Sequence, residues 1–264
     1  MKVSVVLCVY NGDDYLLECL DSLEGQSHDD FEMIIVNDGS DDLTHAIITD
    51  FIERTRLKVT YINQTNMGLT KSLNIAITHS SGEFIMRQDA DDISSKDRIS
   101  SCVEYMEQNT DVDLIVTSFR RFTDNECIDS KNTLPRYFKD NTKITFNHIK
   151  YGNPFCHGSF FGRAEHFSNL FYNEELQKAQ DFEFLLRSLK LNAKIIFCDI
   201  DTYSLRIHEN SISNRFFESQ VAYAETALRV NGFTTCYYIP NSNKLYKIIL
   251  RALRFFEAKL FWNK

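Results

Sequence analysis

Short apolar runs alternate with amphipathic stretches through residues 1–118. The runs predict strands at residues 3–9, 31–36, 57–62, 83–86 and 113–118. Between them, apolar residues spaced three and four positions apart predict helices at 14–23, 42–54, 69–79 and 97–108. This alternation predicts a mostly parallel central sheet with helices on both faces, an α/β fold. Such sheets bind ligands beyond the carboxyl ends of their strands.

The pattern is less regular in the second half of the chain. Residues 120–154 show no clear period, and later apolar runs predict strands at 155–163, 194–198 and 202–207. Helices are predicted at 179–191 and 215–230. We therefore expect one domain with a variable second half, followed by a C-terminal tail.

The C-terminal tail has a charge of its own. From Lys244 onward, six basic residues oppose the single acid Glu257, whereas the whole chain carries a net charge of −8. Apolar residues recur at three- and four-residue steps from Leu245 to Trp262, which predicts an amphipathic helix. A helix of this kind can lie in a membrane interface, with its basic side chains on anionic lipid. It can equally pack on the acidic body of its own enzyme, and the sequence leaves both alternatives open.

The composition is that of an ordinary globular protein. The chain has 264 residues, of which 43% are hydrophobic and 25% charged, and its acidic balance argues against a nucleic-acid partner. Its seven cysteines form no CxxC motif, so we expect reduced, mostly buried thiols. The apolar run at residues 3–7 is too short for a signal peptide core or a membrane span. These features predict a cytoplasmic location.

Acidic residues follow two of the predicted strands. Asp38 comes two positions after the strand at 31–36, where its carboxylate could accept hydrogen bonds from a ribose hydroxyl or a base N–H, or could simply cap the next helix. Asp89, Asp91 and Asp92 follow the strand at 83–86. Like charges so close together repel unless a cation or a set of donors neutralises them. Oxygen ligands at this spacing suit Mg²⁺ or Mn²⁺, although a solvated acidic loop is the alternative.

Two later residues are also candidates for chemistry. Asp181 opens the helix predicted at 179–191, where a carboxylate is either a helix cap or a rigidly held general base. His208 follows the strand predicted at 202–207 and is either structural or a further ligand of a bound cation.

Several common motifs do not occur. The sequence contains no GxGxxG after the first strand, no Walker A motif and no GxSxG motif. These absences disfavour dinucleotide binding, P-loop chemistry and a serine hydrolase.

Taken together, the acidic segments and their order resemble the family-2 inverting glycosyltransferases, which have the GT-A fold. The resemblance covers residues 3–213 and rests on the segments 3–12, 37–42, 66–74, 89–92, 157–159, 180–181 and 206–211. The chain departs from the family pattern twice, with Cys8 where proline is usual and Gln180 where glutamate is usual.

The resemblance implies a role for each matching residue. Asp181 would be the catalytic base that deprotonates the acceptor hydroxyl, and Asp91 and His208 would hold Mn²⁺ or Mg²⁺. The residues implied to bind the nucleotide-sugar are Tyr10, Asn11, Asp38, Asn66, Lys71 and Asp89. Those implied on the acceptor and sugar side, where Asp92 could instead orient its loop, are Asp92, His157, Gly158 and Arg206.

The implied function is metal-dependent transfer of a hexose, with inversion, from a nucleotide-sugar such as UDP-glucose or UDP-galactose. The implied acceptor is a sugar hydroxyl, on a polyprenyl-diphosphate-linked saccharide or another oligosaccharide of O-antigen or capsule synthesis. The alternatives are a sugar nucleotidyltransferase, which the acidic loop at 9–14 disfavours, and a non-catalytic sugar-nucleotide-binding module. We expect a GT-A domain at 1–213, with a nucleotide-binding half at 1–118 and an acceptor-side half at 119–213. A helical extension at 214–264 would place the enzyme on the inner face of the cytoplasmic membrane.

Overall fold

The elements of the first half follow the predicted alternation. The computed structural model describes residues 2–128, 138–150, 152–208 and 217–233. Five of its strands in this half are β1 (Val3–Val9), β2 (Phe31–Asn37), β3 (Lys58–Asn63), β4 (Phe84–Asp89) and β5 (Ile93–Ser94). The helices are α1 (Leu16–Glu24), α2 (Thr44–Arg54), α3 (Leu69–His79) and α4 (Arg98–Gln108).

The second half contains shorter elements. Its strands are β6 (Leu114–Thr117), β7 (Arg120–Thr123), β8 (Glu126–Cys127), β9 (Thr142–Lys143), β10 (Phe160–Arg163), β11 (Ile195–Cys198) and β12 (Tyr203–Arg206). Its helices are α5 (Phe146–Ile149), α6 (Ala164–Leu170), α7 (Gln180–Lys190) and α8 (Phe217–Val230), with a 3₁₀ turn at His157–Ser159.

Within the described residues, the central sheet has eight strands and is mostly parallel, as predicted. Its order is β3-β2-β1-β4-β10-β6-β11-β9. Pairing is parallel from β3 through β4 and between β6 and β11. Strand β10 runs antiparallel between β4 and β6, and β9 runs antiparallel to β11. Because β10 is antiparallel to both of its neighbours, β6 and β11 run in the same direction as β1.

The core lies on both faces of this sheet. Every residue of β1 is buried, and its side chains alternate between two hydrophobic clusters. Val6 and Cys8 pack in the cluster that contains Leu73 of α3, whereas Val5 and Leu7 pack in the cluster that contains Leu20 of α1. A strand buried on both faces has no polar alternation, which explains the continuous apolar run in the sequence. Cys8, Cys19, Cys102, Cys156 and Cys198 are buried, as expected for reduced thiols.

A second sheet of four short strands lies beside the first, in the order β5-β12-β7-β8. Strand β5 directly follows the acidic segment at 89–92, and β12 pairs antiparallel with it. This pairing places the end of the predicted strand at 202–207 next to the acidic segment.

One predicted strand is partly wrong. The run at 155–163 becomes a strand only from Phe160, because residues 157–159 close into a 3₁₀ turn against the end of β4. The helix predicted at 215–230 is confirmed as α8, and the predicted tail helix lies outside the described residues. No helix in the described ranges combines the length and apolar character needed to cross a bilayer.

Candidate active site

The carboxyl ends of three adjacent parallel strands form the floor of the site. Strand β1 lies between β2 and β4, with Val9 opposite Asn37 and Cys8 opposite Asp89. The backbone N–H of Asp38 donates to the carbonyl of Val9 at 2.9 Å. Asp38 and Asp89 therefore flank the end of β1, as the parallel sheet predicts.

The buried side chain of Asp38 organises the loop between β3 and α3. Its two carboxylate oxygens accept hydrogen bonds from the backbone N–H groups of Met67 and Gly68, each at 2.8 Å, and Gln64 Nε2 donates to one of them at 2.8 Å. The predicted alternative, that Asp38 caps helix α2, is not observed. The carboxylate that contacts the start of α2 is that of Asp42, which accepts a hydrogen bond from the N–H of Thr44 at 2.9 Å.

Asn11 ties the turn after β1 to the turn after β2. It has a left-handed backbone, with φ of 50°, and its side chain both donates to the Asp41 carboxylate at 2.7 Å and accepts from the Asp41 N–H at 3.0 Å. Three other residues predicted to bind the nucleotide-sugar are exposed around these turns and at the start of α3. They are Tyr10, Asn66 and Lys71.

Asp89 has a buried positive charge beneath it. Arg87, which is 2% exposed in the middle of β4, donates to Asp89 Oδ1 at 2.5 Å. Burial alone would lower the pKa of Arg87, but the Asp89 carboxylate acts together with Cys8, Tyr172 and Tyr203 to outweigh this effect, so the pKa is raised. The guanidinium is therefore a permanent counter-charge for a carboxylate that stays partly open to solvent.

Asp92 is bonded to the second sheet. It is fully buried and accepts a hydrogen bond from Tyr203 Oη at 2.5 Å and another from the N–H of Arg206 at 2.8 Å. Burial and the charges of Asp91 and Asp89 raise the pKa of Asp92 well above its usual value. These contacts fit its predicted loop-orienting role, since no part of the carboxylate reaches solvent.

Asp91 and His208 meet at the open side of the acidic segment. His208 Nε2 lies 2.9 Å from Asp91 Oδ2, and the Asp91 side chain is 37% exposed. Burial and the charge of Asp89 raise the pKa of Asp91, whereas its hydrogen bond with His208 lowers it. One carboxylate oxygen and one imidazole nitrogen at this separation fit neighbouring positions around a single Mn²⁺ or Mg²⁺ ion.

A second acidic group is less suited to a cation. Ligand atoms of Asp89, Asp92 and Cys156 lie within 4.8 Å of one another. Asp92 is already bonded on both oxygens, and burial raises the pKa of the Cys156 thiol well above its usual value. A protonated thiol is not a metal ligand, so the chemistry of the donors favours the pair Asp91 and His208.

Asp181 lies in the first turn of α7, as predicted. The helix is entered through Ala179, which has a left-handed φ of 55°. Asn153 Nδ2 donates to Asp181 Oδ2 at 2.6 Å. Burial raises the pKa of Asp181, the Asn153 hydrogen bond lowers it, and the negative charge of Asp89 raises it further. A carboxylate with a raised pKa and a fixed orientation suits a general base.

The turn that contains His157 and Gly158 packs directly against β4 and β12. His157 Nε2 lies 2.8 Å from Tyr172 Oη, and burial lowers the pKa of His157 to about 3, so its imidazole is neutral. A Cβ atom on Gly158 would lie 1.7 Å from Tyr203 Oη and 2.8 Å from Asp89 Oδ2. Glycine is therefore required at this position by packing.

Arg206, predicted on the acceptor side, has its guanidinium enclosed by protein groups. The side chain is 3% exposed and forms ion pairs with Glu18 and Asp124. Its contact with an acceptor stays a prediction.

The sequence analysis missed four residues that support the site, namely Arg87, Asn153, Tyr172 and Tyr203. A signal existed for Arg87 alone, since a charged residue inside a buried strand, here two positions before an acid, requires a partner. The other three act across long sequence separations, which no local pattern reveals.

The chain is similar to known proteins in sequence and in fold. The model of glycosyl transferase family 2 matches residues 4–171. An uncharacterized glycosyltransferase of Haemophilus influenzae is 27% identical over 245 residues, which cover 90% of this chain and 74% of that protein.

Two solved structures share the fold. S. aureus TarS 1–349 in complex with UDP-GlcNAc has a TM-score of 0.70 and 21% identity, covering 97% of this chain and 72% of that one. The mannosyltransferase PcManGT of Pyrobaculum calidifontis, in complex with GDP-Man and Mn²⁺, has a TM-score of 0.66 and 17% identity, covering 96% of this chain and 69% of that one. The predicted GT-A fold is confirmed by these likenesses.

Proposed function

Because the chain belongs to glycosyl transferase family 2, we propose that it transfers a hexose from a nucleotide-sugar to a saccharide hydroxyl with inversion, aided by a divalent cation. The observation that carries this proposal is a group of acids with different partners near the strand ends. Asp89 has a buried guanidinium partner, and Asp91 faces the open side with His208. The negative charge of Asp89 raises the pKa of Asp181.

The donor side is proposed to be formed by the turns after β1, β2 and β3. Tyr10 and Asp38 would hold the base and ribose with Asn66 and Lys71 nearby, and Asn11 would fix the turn between them. Asp89 would contact the ribose or the cation. UDP-glucose and UDP-galactose are the first donors to test, and the UDP-GlcNAc and GDP-Man complexes of the structural neighbours make a wider panel worthwhile.

Asp91 and His208 are the residues proposed to hold Mn²⁺ or Mg²⁺. When bound, the cation would neutralise the charge that develops on the diphosphate leaving group. The Mn²⁺ in the Pyrobaculum mannosyltransferase complex supports a metal requirement in this fold.

Asp181 is proposed to accept the proton of the attacking hydroxyl. An inverting displacement at the anomeric carbon needs one base, positioned on the acceptor side. The hydrogen bond from Asn153 occupies one oxygen of Asp181 and fixes the orientation of the carboxylate. His157 and Gly158 would shape the adjoining acceptor wall, and the buried Asp92 would orient its loop.

The acceptor is proposed to be a polyprenyl-diphosphate-linked saccharide or another oligosaccharide of surface polysaccharide synthesis, such as O-antigen or capsule. The domain at 1–213 would carry the chemistry, in the two halves 1–118 and 119–213. The extension at 214–264 would bind the inner face of the cytoplasmic membrane. The support for the last step is the basic, amphipathic sequence from Leu245 to Trp262.

A donor panel tests the proposal. The full chain is incubated with Mn²⁺, individual nucleotide-sugars and a synthetic diphosphate-lipid acceptor, nucleotide release is measured, and the product anomer is read by NMR. We expect acceptor-dependent release with inversion and a loss of about 10²–10⁴-fold in kcat for Asp181→Asn. Asp50→Asn, an exposed change on α2, is the matched control and should keep full activity. Retention at the anomeric carbon, or near-normal turnover by folded Asp181→Asn, contradicts the mechanism.

A further inference from the structure

Arg206 is a buried cation at the end of β12, beside the acidic segment. Its side chain is 3% exposed, and its guanidinium carbon lies 4.5 Å from the ring centroid of Tyr15 and 4.5 Å from that of Phe122. The group thus contacts two aromatic rings, one from the segment before α1 and one from β7. An arginine in this position gains cation–π contact with each ring while its N–H groups remain available for hydrogen bonds.

The edges of the guanidinium reach three different parts of the chain. Nε donates to the backbone carbonyl of Asp91 at 2.9 Å, one terminal nitrogen donates to Glu18 at 2.5 Å, and the other donates to Asp124. The Glu18 and Asp124 side chains are themselves largely exposed, at 63% and 59%. Arg206 is therefore the point at which α1, the turn after β7 and the acidic segment are joined.

The same residue is linked to both members of the pair formed by Asp91 and His208. It contacts Asp91 directly, by donating to its backbone carbonyl. The link to His208 is Tyr15, whose ring centroid lies 4.5 Å from the guanidinium carbon and 4.8 Å from the imidazole centroid. In addition, the backbone N–H of Arg206 donates a hydrogen bond to Asp92 Oδ1 at 2.8 Å, so the last residue of the acidic segment is also held by Arg206.

We propose that Arg206, with Tyr15 as its intermediary, is a positioning residue that sets Asp91 and His208 at the separation needed to hold a divalent cation. The inference rests on the proposed function, since it assumes that these two residues hold the cation. Partners that orient metal ligands from behind contribute to affinity, and their loss typically weakens binding about 10–100-fold. Lysine cannot replace arginine here, because an ammonium group lacks the planar fork that spans three acceptors beside two rings.

Binding of Mn²⁺ alone tests the inference without relying on turnover. The full chain is titrated with Mn²⁺ in the absence of any nucleotide-sugar, and free Mn²⁺ is followed by electron paramagnetic resonance. For Arg206→Lys we expect Mn²⁺ affinity to fall about 10-fold or more. The matched control is Arg120→Lys on the neighbouring strand β7, where the arginine forms an exposed ion pair with Asp201, and it should leave the affinity unchanged.

A second variant covers the case in which Arg206→Lys does not fold. Tyr15→Leu keeps Arg206 but removes the ring shared with His208, and we expect a smaller loss of Mn²⁺ affinity, about 3–10-fold, below the range for losing such a partner outright. A folded variant of either kind that binds Mn²⁺ as tightly as the wild type, or that loses only thermal stability, overturns the positioning role.

Asp91→Asn separates this inference from the proposed function. If Asp91→Asn abolishes Mn²⁺ binding and Arg206→Lys does not weaken it, only the positioning role falls. If Asp91→Asn binds Mn²⁺ like the wild type, or if the wild type binds none, the proposed cation site falls and the positioning role falls with it.

Discussion

At the scale of single residues, the carboxylates near the strand ends differ in their hydrogen-bond and ion-pair partners. Asp38 accepts from backbone N–H groups, Asp89 pairs with a buried guanidinium, and Asp92 is enclosed by a tyrosine and a backbone N–H. Asp181 has a neutral amide as its hydrogen-bond partner, and burial raises its pKa. Asp181, the proposed base, thus differs from the other acids in its hydrogen-bond partner rather than in its residue type.

The neighbour of Asp181 gives a prediction for the pH dependence of activity. A general base must be deprotonated, so kcat falls as pH falls through the raised pKa of Asp181. Because the hydrogen bond from Asn153 lowers that pKa, Asn153→Ala should raise it and move the acidic limb of the pH–kcat profile to higher pH. The measurement is the profile of each variant at saturating donor and acceptor. Asn173→Ala, in the loop before α7, is a matched control expected to leave the limb in place, and an unmoved limb in Asn153→Ala would falsify the assignment of Asp181 as the base.

The residues that sequence patterns could identify are those whose role is visible locally. Asp38, Asp89 and Asp181 stand at ends of regular elements, and the structure places them there. The hydrogen-bond partners of the site residues could not be predicted from local sequence patterns. Tyr203 reaches Asp92 across 111 positions, and Arg206 reaches Glu18 across 188, so those contacts exist only once the second sheet has folded.

At the scale of elements, the regular half of the chain was predictable because its strands are buried on both faces. Strand β1 and helix α3 have the predicted bounds. The two-residue strands β5, β8 and β9 are too short to show any period, and α6 follows β10 with no break that could be recognised. Residue propensity and hydrophobic pattern determine where long helices and strands form, whereas tertiary contacts determine where short ones form.

The turn after β2 gives a prediction about nucleotide binding. Gly39 has φ of +77°, and a Cβ atom there would lie 2.5 Å from the backbone nitrogen of Asn66. Gly39→Ala should therefore displace the loop after β3 and weaken UDP binding, measured calorimetrically. It should also destabilise the fold by about 1–3 kcal/mol through backbone strain. Gly232→Ala is the matched control, because φ there is +76° with no atom within 4 Å. It should lose stability but not UDP affinity, and equal UDP affinity in both variants would contradict this role of Gly39.

The beginning of β2 gives a prediction about acid stability. The Glu32 side chain is 1% exposed and accepts hydrogen bonds from Ser4, Lys58 and Ser81. Burial raises the pKa of Glu32, but these bonds outweigh it and lower the pKa to about 2. Because the pKa is lower in the folded state, the stabilisation is present at neutral pH and is lost as pH falls from about 4.3 towards 2.

Glu32→Gln should therefore reduce the free energy of unfolding at pH 7 by roughly 1–3 kcal/mol. It should also flatten the fall in stability between about pH 4.3 and about pH 2, as measured by urea unfolding at a series of pH values. Glu53→Gln, exposed on α2, should change neither quantity. An unchanged pH slope in Glu32→Gln would show that other carboxylates govern acid stability.

At the scale of the whole molecule, topology explains why so few local signals sufficed to place the site. Six strands of the central sheet run in one direction, so residues that follow β1, β2 and β4 meet at one edge. Strand β10 begins immediately after the turn that contains His157 and Gly158. Because β10 runs antiparallel to β4, its first residue and this turn lie at the edge where β4 ends. The proposed acceptor and donor sides thus lie at one edge of the sheet because β10 runs opposite to its neighbours.

The uneven charge of the chain gives the last prediction. The six basic residues from Lys244 onward oppose an overall charge of −8, and each basic residue close to an anionic membrane surface contributes about 1 kcal/mol to binding. Replacing Lys247, Arg251, Arg254 and Lys259 with glutamine in the full chain should therefore abolish co-sedimentation with phosphatidylglycerol vesicles at low salt. The matched control replaces four exposed lysines of the body, Lys96, Lys139, Lys143 and Lys190, which changes the net charge equally. If both variants sediment like the wild type, charge does not attach the chain to the vesicles. If the wild type stays in solution and the tail variant unfolds more readily, the tail packs on the acidic body instead, the alternative that its sequence leaves open.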